Sequence, residues 1–484
     1  MTDCKCTRMA AIECAFAKFD DGTLLQDLKR RVAFRTESED AKQAHTLSAY
    51  LVEEIAPTLA RLGFNSRLLA NPVEEGPPFL IATREEGFDL PTVLTYGHGD
   101  VVRGLDDQWY SGRGPWQVTA ADDRWYGRGT ADSKGQHSVN FAALEAVLQA
   151  RGGRLGYNVK IIFEMGEEIG SPGLSKICAL EAQTLAADVF LASDGPRVSA
   201  GCPTLFLGSR GEVLFELLVD LREGAHHSGN WGGALRNPAV VLSHAIASLV
   251  DRNGRIVVEG LRPPPVSAAV RDALADVEIG DDLDSPEIDH TWGEPGLTPT
   301  ERVIAWNAIE VLAFKAGNPG APVNAIPPLA RATCQLRFVV GTDWENVGRH
   351  LEAHFARHEI ENVQIHVTPG AAATRLDLND PWVQWVLGSM RATTGKPPIL
   401  LPNLGGTVPN EVFARILNLP TLWVPHSYPA CAQHAPNEHM LQSVAREALG
   451  VMAGLWWDLG ESAQDVIAKR KVAALRFAIP QSLA

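Results

Sequence analysis

The chain has 484 residues, 45% hydrophobic and 21% charged, the balance of an ordinary globular enzyme with room for two or three domains. Its 43 basic against 58 acidic residues leave a formal charge of −15, so no nucleic-acid partner and no anionic membrane partner is expected. No run approaches about 18 consecutive apolar residues, which argues against a transmembrane span.

The seven cysteines are scattered, and the close pair, Cys4 and Cys6, lacks C-x-x-C spacing. That usage predicts reduced thiols and a cytoplasmic location. Any bound metal must then be held by His and carboxylate ligands. The stretch MTDCKCTRMAAIECAFAKFDDG has a short apolar run broken by Glu13 and Lys18, a helix rather than a secretory signal.

Residues 90–96 (LPTVLTY), 159–165 (VKIIFEM) and 188–193 (DVFLAS) are continuous apolar runs, as in strands buried on both faces. Between the first two, GQHSVNFAALEAVLQARGG sets Phe141, Leu144 and Leu148 on one helical face and stops at a glycine pair. Strands alternating with helices predict a mostly parallel α/β sheet. The texture changes near residue 207, where RGEVLFELLVDL reads as a strand with an exposed face. A helix over 238–250 follows, with Asn237 as N-cap, Pro238 at its first position, and Leu242, Ile246 and Leu249 inward. Residues 261–300, rich in Pro, Asp and Gly, read as a long connection. In 330–340, Ala332, Cys334, Leu336 and Phe338 alternate with Arg331, Thr333, Gln335 and Arg337, a strand with one wet face. DWENVGRHLEAHFARH supplies another helix, with Val347, Leu351 and Phe355 in register, and VQIHV a closing strand. After Pro369 the α/β texture returns, with a helix at DPWVQWVLGSMRATTG, a buried strand at 419–424 and a helix-rich tail. The expected organisation is an α/β domain, 1–206 and 370–484, interrupted by an α+β domain with an antiparallel sheet at 207–369.

Each predicted parallel strand is followed by potential ligands, at the strand ends where open α/β sheets gather their sites. GHGDV places His98 and Asp100 two residues apart and on one side of an extended backbone, so the acid can orient the imidazole. YGRGTADSKG puts Asp132 ahead of a helix. It is either an N-cap or a carboxylate whose two oxygens bridge two cations. In EMGEEIGS, Glu167 and Glu168 diverge if extended, so that one binds metal while the other serves as general base. SDGP sets Asp194 at a third strand end. His98, Asp132, Glu168 and Asp194 leave two metals short of an imidazole. LPTLWVPHSYPACAQHAPNEHM, with His426, His434 and His439, is where one can follow another strand.

GHGDV, YGRGTADSKG, GEEIGS, ASDGP and HAPNE, in that order, resemble the metallopeptidase family of carnosinases, aminoacylases, acetylornithine deacetylase and succinyl-diaminopimelate desuccinylase. LGSRGEVLFELLVDL, HHSGNWGG and DRNGRIVVEGL are most similar to the lid of its cytosolic, carnosinase-like dipeptidase branch. The resemblance implies a zinc-exopeptidase fold in which 207–369 is a lid and dimerisation domain. It implies two divalent metal ions, zinc first with manganese or cobalt as alternatives. His98 and Asp194 would hold one, Glu168 and His434 the other, with Asp132 bridging and followed by a cis peptide. Glu167 would be the general base and Asp100 the orienter of His98. His227 would reach the partner's site in a homodimer and stabilise the oxyanion, with Asn324 a second contact of that kind. Arg337 would bind the substrate carboxylate, and Gly406 and Thr407 of LGGTVPN would belong to the substrate loop. His426 is a reserve ligand and His439 the start of the final helix. Where carnosinase-like relatives carry a further histidine, this chain has ATRLDLNDPW with Arg375, so carnosine is not the expected substrate.

The expected activity is hydrolysis of dipeptides or similar small substrates bearing a free carboxylate. N-acyl- or N-carbamoyl-amino-acid amidohydrolase is the alternative on the same scaffold. A non-catalytic binding protein that kept the fold is the remote one.

Overall fold

The computed structural model describes residues 6–280 and 285–478, so the reading of Cys4 lies outside the described residues. Eight strands form one sheet in the order Asn65–Leu69, Phe79–Arg84, Asn158–Glu164, Thr92–His98, Val189–Ala192, Thr421–Trp423, Thr204–Phe206, Ile399–Leu401. The middle is parallel: Thr92–His98 pairs with Asn158–Glu164 and Val189–Ala192, and the latter with Thr421–Trp423. The first two strands pair antiparallel at one edge and escaped the sequence reading. The outermost, Asn65–Leu69, is exposed along nearly its whole length and so carries no apolar alternation.

Helix Lys134–Ala150 is buried on almost every side. Its Phe141–Leu144–Leu148 stripe, with Ala143, Ala146 and Val147, belongs to one core that the helices Arg8–Asp20 and Gln442–Ala478 close over. The N-terminal helix starts where Thr7 accepts the Ala10 N–H. Helix Pro381–Thr394 is capped by Asp380 and ends at left-handed Gly395, φ 69°, a conformation that suits glycine. Among the described residues no helix is long and apolar enough to cross a membrane.

The second sheet has four antiparallel strands in the order Ala308–Ala316, Leu329–Phe338, Gly211–Asp220, Gln364–Val367. The alternation in 330–340 holds, with Ala332, Cys334, Leu336 and Phe338 buried beneath the helices Pro238–Leu249 and Val347–Arg357. Asn237 caps the first of these, accepting the Ala239 N–H at 2.9 Å. Fully burying each Leu, Val or Phe there contributes about 1.5–3 kcal/mol, which gives this sheet its own core. The segment read as a long connection contains helices Ala268–Leu274 and Pro299–Ile304. Val270, Leu274 and Ile304 join the core of the eight-stranded sheet. Apolar residues spaced among prolines and glycines hid these short helices. Cys178, Cys334 and Cys431 are buried among apolar side chains.

The architecture is therefore a mostly parallel α/β sheet with an inserted α+β unit built on an antiparallel one. Where the chain crosses between them, Glu212 is bridged to Ala371 and Ser209 to Leu404. That crossing lays the wet face of the second sheet beside the carboxyl ends of the first.

Candidate metal centre

His98 is the last residue of its strand, and Asp194 and the Glu167–Glu168 pair follow the ends of two others. Asp132 meets them from the loop ahead of helix Lys134–Ala150, its peptide to Ser133 cis. The two Asp132 oxygens address different imidazoles. Oδ1 lies 3.1 Å from His98 Nε2, and Oδ2 lies 3.0 Å from His434 Nε2. Asp194 Oδ2 is 3.5 Å from that His98 nitrogen, and Glu168 Oε2 is 3.0 Å from that His434 nitrogen. Two donor groups result, His98–Asp132–Asp194 and His434–Asp132–Glu168, sharing one carboxylate. Nitrogen and carboxylate oxygen are the donors that zinc, manganese and cobalt accept. A shared carboxylate suits two ions about 3.5–4 Å apart.

Asp100 has a larger role than its spacing suggested. The His98 Nδ1 lies 3.2 Å from the Asp100 main-chain oxygen and 3.4 Å from its carboxylate Oδ1. The two carboxylate oxygens accept the N–H groups of Glu167 and Glu168, each at 3.1 Å. Those residues are therefore not extended, as the sequence reading had them, but form the helical turn Glu167–Ile169. The turn forms because Asp100 satisfies its first amides, as an N-cap does. Glu168 reaches His434, and both glutamates line the same cleft as Arg337.

The motif around His434 also contains Glu438. It is fully buried, and its Oε1 accepts the N–H groups of Gly129, Ala131 and Asp132 at 3.0, 2.9 and 3.1 Å. Its Oε2 accepts from Arg128 Nη1 at 2.6 Å. One carboxylate thereby joins the loop that presents His434 to the loop that presents Asp132. Gln433 also donates to Asp132 Oδ2, and Gln136 Nε2 donates to Ala131 O at 3.1 Å and reaches Asp194 at 3.5 Å. A single acid or amide, whether in a loop like Glu438 and Gln433 or in the first turn of a helix like Gln136, has no periodic signal, so none of these is legible in the sequence.

Electrostatics fit a cation site. Burial raises Glu167 well above the glutamate range, and Asp194 is raised by burial as well. Burial, then the Asp132 charge, pushes Glu168 up to about 8. Burial would also raise Asp132, but hydrogen bonds from His434 and His98 hold it well below the carboxylate range. His434 is pushed up to about 11 by its bonds to Asp132 and Glu168, and Asp194 raises His98 against its burial. Crowded carboxylates that resist ionising, beside imidazoles that hold protons, are what surplus negative charge produces. A divalent cation at each imidazole would relieve both.

Arg337 and Thr407 share the cleft of Glu167, Glu168 and His434, with Arg337 Nη1 donating to Thr407 Oγ1 at 2.7 Å. Gly406 is exposed in the adjoining loop. His227 and Asn324 come together, but not in this cleft. They are exposed on a ribbon where His226–His227 pairs with Ala325–Ile326 and the Ser228 N–H donates to Asn324 O at 2.9 Å. His227 Nδ1 accepts the Gly229 N–H at 3.1 Å, leaving Nε2 for other partners. His426 is buried, 3.0 Å from Ser193 Oγ, and burial pushes its pKa well below the usual histidine range. Arg375 donates to Asn403 Oδ1 at 2.7 Å. His439 does not start the final helix: it opens strand His439–Leu441, buried with Nε2 2.6 Å from the Tyr428 hydroxyl, and the helix begins at Gln442. Pairing with Arg124–Tyr126 captures that segment.

The profile of peptidase family M20/M25/M40 matches residues 94–458. The chain is 29% identical over 371 residues to a cysteinylglycine-S-conjugate dipeptidase of Corynebacterium striatum, covering 74% of this chain and 78% of that one. It is 27% identical over 389 residues to the human Beta-Ala-His dipeptidase, covering 75% and 73%. Its fold matches the dipeptidase Dug1p of Saccharomyces cerevisiae with a TM-score of 0.77 at 20% identity, covering 93% of this chain and 99% of that one.

Proposed function

The chain belongs to peptidase family M20/M25/M40, a hydrolase acting on peptide bonds, and on that premise we propose that it is a binuclear metal-dependent dipeptidase. Its substrates are dipeptides or similar small amides with a free carboxylate. The observation that carries the reading is the division of Asp132, with one oxygen 3.1 Å from His98 and the other 3.0 Å from His434. The dipeptidase names of the relatives support the substrate class.

In this reading His98, Asp132 and Asp194 would hold one divalent ion, and Asp132, Glu168 and His434 a second, with zinc first and manganese or cobalt as substitutes. When bound, such ions polarise a carbonyl and lower the pKa of a water to about 7. Glu167 takes the proton of the attacking water and delivers it to the leaving nitrogen. Asp100 holds the His98 ring and the turn carrying both glutamates. Arg337, steadied by Thr407, takes the substrate carboxylate through its planar fork. His227 acts in trans within a homodimer, on negative charge developing at the carbonyl oxygen. Its exposed position outside its own cleft supports that role. The buried thiols fit a cytoplasmic setting.

The test is a panel of dipeptides, N-acetyl and N-carbamoyl amino acids, assayed before and after dialysis against EDTA. Dipeptides are expected to turn over fastest, with activity lost on chelation and restored by zinc, manganese or cobalt. Faster hydrolysis of an N-acyl or N-carbamoyl amino acid would reassign the site to an amidohydrolase. Full activity after chelation would overturn the metal mechanism.

A further inference from the structure

Arg337 does not present a bare guanidinium to the cleft. Its Nε donates to Gln335 Oε1 at 3.2 Å, its Nη1 to Thr407 Oγ1 at 2.7 Å, and its Nη2 pairs with Glu212 Oε2 at 3.0 Å. Gln335 Nε2 donates to the same Glu212 oxygen at 3.1 Å. Glu212 and Arg337 stand directly opposite each other on antiparallel strands, so the sheet register itself makes the pair. Both residues line the cleft that holds Glu167, Glu168 and His434.

We propose that Glu212 is an internal stand-in for the substrate's carboxylate and the residue that sets preference at that end of the substrate. The inference rests on the reading of Arg337 as the carboxylate-binding group. A guanidinium fork accepts one carboxylate per edge, and two anions on the same edge repel. The Nη2 edge of Arg337 is held by Glu212, so a substrate carboxylate enters by exchange. The exchange is feasible because the pair is solvated: the side chains of Arg337 and Glu212 are 26% and 37% exposed, and exposed ion pairs contribute little. Glu212 needs only a rotamer change to leave, since its strand stays in register. A substrate lacking an anionic terminus does not displace it. Meanwhile the Glu212–Gln335–Thr407 frame keeps the guanidinium extended and oriented, which lowers the ordering cost when a carboxylate arrives.

The experiment compares the fastest dipeptide of the panel with its C-terminal amide, in wild type, Glu212→Gln, Glu212→Ala and Arg337→Met, with thermal melts confirming the fold of each. The readout is the ratio of kcat/KM for free carboxylate over amide. Both Glu212 variants are expected to raise that ratio by about two- to fivefold, the range of an exposed ion pair removed as a competitor. In Arg337→Met the ratio is expected to collapse. If the Glu212 variants leave the ratio unchanged or lower it while Arg337→Met collapses it, Glu212 merely orients Arg337 and the proposal is overturned, with the reading of Arg337 intact. If Arg337→Met leaves the ratio unchanged, that reading fails and takes the proposal with it.

Discussion

At the scale of single residues the proposed mechanism separates two neighbouring glutamates. Glu168 faces His434, whereas Glu167 lines the cleft without an ion-pair partner among the described residues. Glu167→Gln is expected to lower kcat by about 10²–10⁴, the usual contribution of a general base, while metal analysis finds the same metal content as wild type. The histidines near the C-terminus divide in the same way. His434→Ala should reduce bound metal to about one ion per chain, since a His/carboxylate site that loses its imidazole loses most of its affinity. His439→Ala should keep both ions, losing about 1–3 kcal/mol of stability because it breaks a buried hydrogen bond to Tyr428. Equal metal loss in the two variants would contradict the assignment. The sequence could rank these histidines only through a family resemblance, because three imidazoles in one loop share the same local pattern.

At the scale of elements, the site depends on loops held together by buried acids. Glu438 binds three amides of the Asp132 loop and the guanidinium of Arg128, which is 1% exposed. Glu438→Ala leaves that charge buried without its partner and is expected to cost about 3–5 kcal/mol in denaturant unfolding. It should also weaken metal binding measured by calorimetry, because Asp132 and His434 then move independently. A second acid shapes the far edge of the large sheet. The Glu86 carboxylate accepts the N–H groups of Leu155 and Gly156 at 2.8 Å and a guanidinium bond from Arg84 at 2.8 Å. Burial works to raise Glu86, but these bonds outweigh it and leave the carboxyl below its ordinary value. A depressed carboxylate means the unfolded chain binds more protons. Its stabilisation is thus complete above the unfolded value of about 4.3 and is lost as pH falls through the folded one. Wild type and Glu86→Gln should therefore differ most in unfolding free energy at neutral pH and converge in acid. A constant gap down to low pH would remove Glu86 from the account.

At the scale of the whole molecule, the cleft of one chain lacks His227. If that residue acts in trans, Glu167→Gln and His227→Ala are each inactive as homodimers, yet a hybrid has one site with both groups intact. Random mixing makes half the dimers hybrid, so activity should recover to about one quarter of wild type. No recovery after verified subunit exchange would rule out action in trans, and an active His227→Ala homodimer would place His227 outside the chemistry.

Much of the architecture was legible because burial writes a period into the chain. Continuous apolar runs marked the parallel strands, and alternation marked the wet-faced strand that carries Arg337. Ligand types recurring after successive strands marked the end of the sheet where the site lies. The edge strand Asn65–Leu69, the Glu167–Ile169 turn and the strand opened by His439 were not legible, since each is set by a partner rather than by its own pattern. The same holds at the site. The sequence by itself determined the fold class and which side chains were available as donors. Only the tertiary structure decided that Asp132 is divided between two imidazoles, that Glu212 occupies Arg337, and that Glu438 reaches Arg128 across 310 positions. Local patterns record how much water a segment loses, whereas the pairing of buried charges is fixed by whichever distant groups the packed chain brings within hydrogen-bonding distance.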